Sequence, residues 1–146
     1  MPQASYDKRC IALTQLETAL RLFEEGQNLF SVITLAGAAE ELLGKLLSET
    51  AAEHSLDSLK KAAVEMYRAL FNEEAGAKQF ADRANRAKNE LKHHDKGQPH
   101  AVTLDLREEA VDILDRAITN YWRLEQSLTP PMTRFADRQL NSSGDR

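Results

Sequence analysis

Asp82, Arg86, Asn89 and His93 are separated by four, three and four residues. On a helix that spacing puts all four on one stripe, opposite Ala84, Ala87 and Leu91. The residue types suit phosphate chemistry. An arginine binds a phosphodiester with two parallel donors and stabilises developing negative charge. A histidine titrates near neutral pH and serves as general acid or base. Asn89 has the donors and acceptor to orient a 2′-hydroxyl, a phosphate or the imidazole. The solvated face of an ordinary amphipathic helix has the same make-up, so both readings stand on the residues alone.

The surrounding charge adds to the first reading. Residues 78–96 carry six positive side chains (Lys78, Arg83, Arg86, Lys88, Lys92, Lys96) and three negative ones (Asp82, Glu90, Asp95), a net of +3 in a chain whose net charge is −4. The remainder is therefore at −7. An acidic protein with one basic stretch is poorly suited to coating duplex DNA, and well suited to a local anionic partner. His93 and His94 lie in this stretch and His100 follows it. As metal ligands, His93, His94, Asp95 and His100 match no zinc spacing, so no metal and no cofactor are expected. Nothing in the sequence resembles a Gly-rich phosphate loop, a Ser-His-Asp set or a Cys-His pair. The single cysteine, Cys10, excludes an internal disulfide and is expected to be a small core residue of the first helix.

A second polar feature precedes the first. Leu29, Val32, Ile33, Ala36, Ala39, Leu43, Leu46 and Leu47 form a long helical stripe. On a helical wheel Glu40 falls beside Ile33, Leu47 and Leu29, while Glu41 lies nearer the far side. A carboxylate at the edge of a core either reaches water or holds a cation from a facing element. The cations available to it are those of residues 78–96. Ala36, Gly37, Ala38, Ala39 and Gly44 on the same segment let a neighbour approach closely. Each glycine costs a helix about 1 kcal/mol against Ala, which close packing would offset.

The elements that must carry these residues are helices. Cys10, Leu13, Leu16, Leu20 and Phe23 mark one face of a helix over about 7–25, with Gly26 as its stop. Asn28 is placed to cap the next, which runs to about residue 52. A third starts near Ser55 and continues through Leu59, Ala62, Ala63, Met66, Tyr67 and Leu70, followed by a turn over 72–76. A fourth spans about 77–94, with Phe80, Ala84, Ala87 and Leu91 inward, and Gly97 and Pro99 end it. A fifth starts at Thr103 or Asp105 and runs to Leu128, with Leu106, Ala110, Ile113, Leu114, Ala117, Tyr121 and Leu124 inward. Asp105, Glu108 and Glu109 suit its N-terminus. Thr129-Pro130-Pro131 closes it. Met132, Phe135 and Leu140 give the remainder a weak apolar pattern, which docks as a short helix or trails, and 141–146 reads as a frayed end. The expected fold is all-α: an antiparallel up-and-down bundle of four long helices with a short extra C-terminal helix or tail, the bundle over 1–128 and the tail over 129–146. The N-terminal residues hold no apolar run and no stretch approaches the ~20 apolar residues of a membrane span, so a cytoplasmic protein is expected.

Two stretches now resemble the HEPN family, small all-α domains often found as dimers in prokaryotic defence and toxin systems. One is Leu35-Ala-Gly-Ala-Ala-Glu-Glu-Leu-Leu-Gly44 and the other Arg86-Ala-Lys-Asn-Glu-Leu-Lys-His93. The family signature is an Arg, four to six residues, then a His, often with Asn directly after the Arg. Fixing the register on Asn89 and His93 puts Lys88 at the Arg position. Fixing it on Arg86 gives six intervening residues. The resemblance covers about 5–128 and implies metal-independent RNA cleavage, with two motifs meeting across a homodimer. It implies that His93 acts on a 2′-hydroxyl, Arg86 stabilises a phosphorane-like charge and Asn89 positions one of them. Glu40 would orient a cation of the neighbouring helix and Asp82 would support the stripe. Lys88, Lys92 and His94 would hold RNA. The expected function is thus an RNA-cleaving or RNA-binding HEPN-like protein, with a protein partner such as an antitoxin. The alternative is a non-catalytic helical module for dimerisation and for binding a nucleotide or protein partner.

Overall fold

The computed structural model describes residues 2–50, 59–63, 66 and 82–144. Among these residues the regular structure is helical throughout, with no strand. The helices are α1 (Lys8–Glu24), α2 (Leu29–Glu49), α3 (Arg86–Glu90), α4 (Leu106–Glu125) and α5 (Pro130–Gly144). Residues 59–63 and 82–84 are also helical. No helix among the described residues is long and apolar enough to cross a membrane. Most of the expected third helix, the 72–76 turn and the start of the fourth segment with Phe80 lie outside the described residues.

α1 starts where Asp7 caps it, the carboxylate accepting from the Arg9 amide at 2.7 Å. Its buried residues are Ala12, Leu16, Ala19, Leu20 and Phe23. Cys10 is exposed, contrary to the expectation. The stripe runs Ala12–Leu16–Ala19–Phe23, and a position two residues before Ala12 lies far round the helix from it. Gly26 then takes φ +68°, a left-handed conformation natural to glycine, and its amide closes onto the Phe23 carbonyl at 3.1 Å. Asn28 precedes α2 as expected, but its side chain makes no capping bond. Its own backbone is left-handed, at φ 52°, whereas a side-chain cap needs extended backbone.

α2 is the central helix, packed against both α1 and α4. Val32, Ile33, Ala36, Ala39, Leu43 and Leu47 are fully buried. Each large one contributes about 1.5–3 kcal/mol relative to an exposed side chain. α4 begins at Asp105, whose carboxylate accepts from the Glu108 amide at 3.0 Å. It buries Ala110, Ile113, Leu114, Ala117 and Ile118. The helix stops three residues before Leu128, where Gln126 turns left-handed at φ 57°.

The tail forms a helix and docks. Pro130 and Pro131 open α5 rather than merely closing α4, as suits a proline at the first helical position. Met132 and Phe135 enter the core, and the Phe135 ring meets Phe23 edge-on with centroids 5.6 Å apart. The Arg107 guanidinium covers Phe23 at 5.0 Å from the ring centroid. Arg134 donates to the Glu24 carboxylate at 2.9 Å. Leu140 stays exposed.

Candidate functional site: a buried cation under an exposed arginine–histidine strip

The segment over 82–100 is not the continuous helix expected to reach His94. Residues 82–84 are helical, Asn85 leaves the helix, and α3 covers only Arg86–Glu90. The break has a partner on α4. Arg116, 9% exposed, donates from Nη2 to the Ala84 carbonyl at 3.1 Å and from Nη1 to Asn85 Oδ1 at 3.5 Å. A buried guanidinium needs acceptors, and the carbonyl at a broken helix supplies one.

The underside of α3 meets α2 through Lys88. Its stem lies over Gly37, so close that a Cβ on Gly37 would stand 2.6 Å from Lys88 Cδ and 2.8 Å from Cγ. The ammonium reaches Glu41 at 3.6 Å and Glu40 at 3.9 Å. Glu40 is 1% exposed and Lys88 9%. Of the two sequence readings of Glu40, the geometry matches the carboxylate that faces a cation on a neighbouring element. Gly37 supplies the slot for that cation's hydrocarbon stem. Asn120 of α4, fully buried, donates from Nδ2 to the Glu40 main-chain carbonyl at 3.1 Å. The charges of Lys45 and Lys88 hold the Glu41 carboxyl below its ordinary range, chiefly through the hydrogen bond from Lys45.

The upper side of α3 is open. Asp82, Arg86, Asn89, Lys92, His93 and His94 are all exposed. α3 ends as the Leu91 amide bonds to the Ala87 carbonyl at 3.1 Å, and the amides of Lys92 and His93 both close onto Asn89 at 3.2 and 3.0 Å. His93 therefore sits just past the helix, still tied to Asn89 by one bond. The expected helical stripe is interrupted at Asn85 and ended before His93, because Arg116 engages the first point and the chain turns at the second. Arg86 lies towards α4. Burial raises the Glu109 carboxyl first, with the charges of Asp112 and Glu108 adding, and Arg86 and Arg116 pull it back.

A tight turn then folds the chain back. The Gln98 amide donates to the Asp95 carbonyl at 3.0 Å, the Gln98 side chain accepts from the Asp95 amide at 3.2 Å, and Gly97 takes φ +89°. This brings His100 against His94, ring centroids 5.1 Å apart and planes at 71°. Glu90, His93, His94, Pro99, His100, Ala101 and Val102 line an open pocket of about 450 Å³. Among the described residues, no group of three His, Cys, Asp or Glu side chains could hold a metal ion.

The two possible motif registers now differ physically. Lys88 points inward and spends its charge on Glu40 and Glu41, so it is not on the surface where RNA was expected to meet it. Arg86 is exposed, as are Asn89 and His93. Arg116 and Asn120 were missed in the sequence, although they follow Ile113 at steps of three and seven, on or beside the α4 core stripe. The wheel that singled out Glu40 finds Asn120 by the same test. No protein-family model, no curated protein and no solved structure matches the chain.

Proposed function

We propose that the chain is an HEPN-like domain whose Arg86–Asn89–His93 strip binds RNA and, in a homodimer, cleaves it without a metal. The observation that carries this reading is the division of α3. Its one buried cation faces α2, while its Arg86 and Asn89, and His93 just beyond its end, are exposed. Arg86 binds the phosphodiester and stabilises the charge that builds on it. His93 removes or returns the proton of the 2′-hydroxyl, and Asn89 positions one of them. Asp82 lies on the exposed approach, and Lys92 and His94 flank the strip as contacts for the RNA backbone. Glu40 and Lys88 act beneath the surface, through the position of α3. In this reading the helices form an antiparallel bundle, and the protein is a cytoplasmic component of a prokaryotic toxin or defence system with a protein partner such as an antitoxin.

The test is cleavage of a panel of single-stranded and structured RNAs in chelator-treated buffer by the wild type, His93→Ala and Arg86→Ala. Loss of a general acid or base is expected to slow cleavage by about 10²–10⁴-fold. Equal rates in all three, or no cleavage by the wild type on any RNA, removes the catalytic reading. A second reading, a non-catalytic dimeric module that binds RNA, a nucleotide or a protein partner, is favoured by the end of α3 before His93, which leaves the imidazole less rigidly held than a mid-helix position would. RNA binding without cleavage, weakened in Arg86→Ala, is its signature.

A further inference from the structure

The pocket that His93 and His94 border extends beyond the phosphate chemistry just described, to Glu90, Pro99, His100, Ala101 and Val102. We infer that it is a subsite for one unstacked nucleobase of single-stranded RNA, and that it selects guanine over uracil; the inference rests on the proposed RNA-binding role of Arg86 and His93. Four observations lead there. The pocket holds about 450 Å³, ample for a base and its ribose, and is open on one side as an entering strand requires. Its walls combine the flat rings of His93, His94 and His100 with the apolar surfaces of Pro99, Ala101 and Val102. Single-stranded RNA is recognised by such surfaces, with a splayed base stacked on aromatic rings and read along its Watson–Crick edge. The site is also shaped by the backbone rather than by chance contact of side chains. The Asp95–Gln98 turn, with Gly97 at φ +89°, is what sets the His100 ring 5.1 Å from that of His94.

Glu90 supplies the selection. It lines the pocket from the last residue of α3, on the same short helix as Arg86 and Asn89. A carboxylate there repels a phosphate, so the group that faces it must be a donor. Guanine presents a ring N–H and an amino group side by side, which a carboxylate accepts with its two oxygens. Uracil presents a single N–H between two carbonyl oxygens, which the same carboxylate repels. Arg86 and Lys92, both exposed, serve the phosphates of the strand as in the RNA-binding reading.

The experiment measures binding of the full chain to fluorescently labelled hexauridylate and to hexamers with one guanosine at each position in turn. One guanosine position is expected to bind about tenfold more tightly than all-uridine, roughly the contribution of one hydrogen bond to a charged group. Glu90→Gln abolishes that preference, and His100→Ala weakens the guanosine hexamer by a similar factor. Arg86→Ala weakens every hexamer alike and keeps the preference. All three positions are exposed, so circular dichroism of each variant should match the wild type. Equal affinity for all hexamers, with Arg86→Ala still weaker, overturns the base subsite and leaves the RNA-binding reading standing. A guanosine preference that survives both Glu90→Gln and His100→Ala also overturns it. Absence of binding to every hexamer removes both.

Discussion

α2 meets its neighbours through two unlike surfaces. Towards α1 and α4 it presents Val32, Ile33, Ala36, Ala39, Leu43 and Leu47, an apolar stripe with no directional demand. Towards α3 it presents Gly37, Glu40 and Glu41, which accept one lysine in one pose. Apolar packing tolerates exchange of similar volumes. A buried charge pair does not tolerate the loss of one member, because the other is left uncompensated in a poor solvent. The first surface therefore supplies stability and the second fixes where a short, five-residue helix sits.

The largest expected effect comes from breaking the polar seam on one side only. Lys88→Ala should destabilise the fold by about 3–5 kcal/mol, read from urea unfolding, because it removes the cation that faces the buried Glu40 carboxylate and the stem that fills the slot over Gly37. Replacing both members, Lys88→Met with Glu40→Leu, should recover most or all of that loss. If the double variant is as unstable as the single one, the seam is held by something other than charge. On the apolar surface, Leu114→Ala should cost about 2–5 kcal/mol, and a second apolar residue of similar volume, such as Met, should restore all but ~1.5 kcal/mol of it.

Gly37→Ala sharpens the comparison further. The added methyl meets the Lys88 stem, and overpacking of about 1–3 kcal/mol outweighs the gain of about 1 kcal/mol in helix propensity. In a Lys88→Ala background the obstruction is gone, so the same change should become stabilising. A sign that stays the same in both backgrounds would mean that Gly37 does not serve as the slot for Lys88.

The smallest effect concerns pH. Burial holds the Glu109 carboxyl above its ordinary range, with Asp112 shifted the same way by the same cause. A folded-state carboxyl that holds its proton more tightly than the unfolded one makes the native state bind more protons in that window. Their contribution should therefore decline as pH rises through and just above the usual carboxylate range of about 4. Glu41, held low by Lys45 and Lys88, contributes in the opposite direction and loses its share as pH falls. Glu109→Gln should flatten the upper part of the unfolding profile, and an unchanged profile would remove Glu109 from it.

How much of this was legible in the sequence differs between the two surfaces of α2. Apolar periodicity located α1, α2 and α4 to within a few residues, because a helix that buries one face must repeat its apolar residues at helical spacing. It misplaced Cys10, because a three-residue step to Leu13 looks the same whether the stripe is centred on it or beside it. Glu40 was visible as a carboxylate in an apolar sector. That its cation is Lys88 was not, since the choice among six cations depends on how α3 is rotated. The break before α3 was also hidden. It is engaged by Arg116, thirty-one residues beyond Asn85, and no local pattern carries a contact of that range. The docking of α5 rests on two residues, Met132 and Phe135, too few to form a periodic signal.

Those two residues also bear on the order in which the protein acquires its shape during synthesis. Phe23 is made early, yet the ring that covers its edge belongs to residue 135. A chain still emerging from the ribosome has Arg107 to lay over the Phe23 ring, but leaves the side that Phe135 meets uncovered until α5 has been released. A product cut short after Gln126 would retain the residues of α1, α2 and α4 and still show that side to chaperones and proteases.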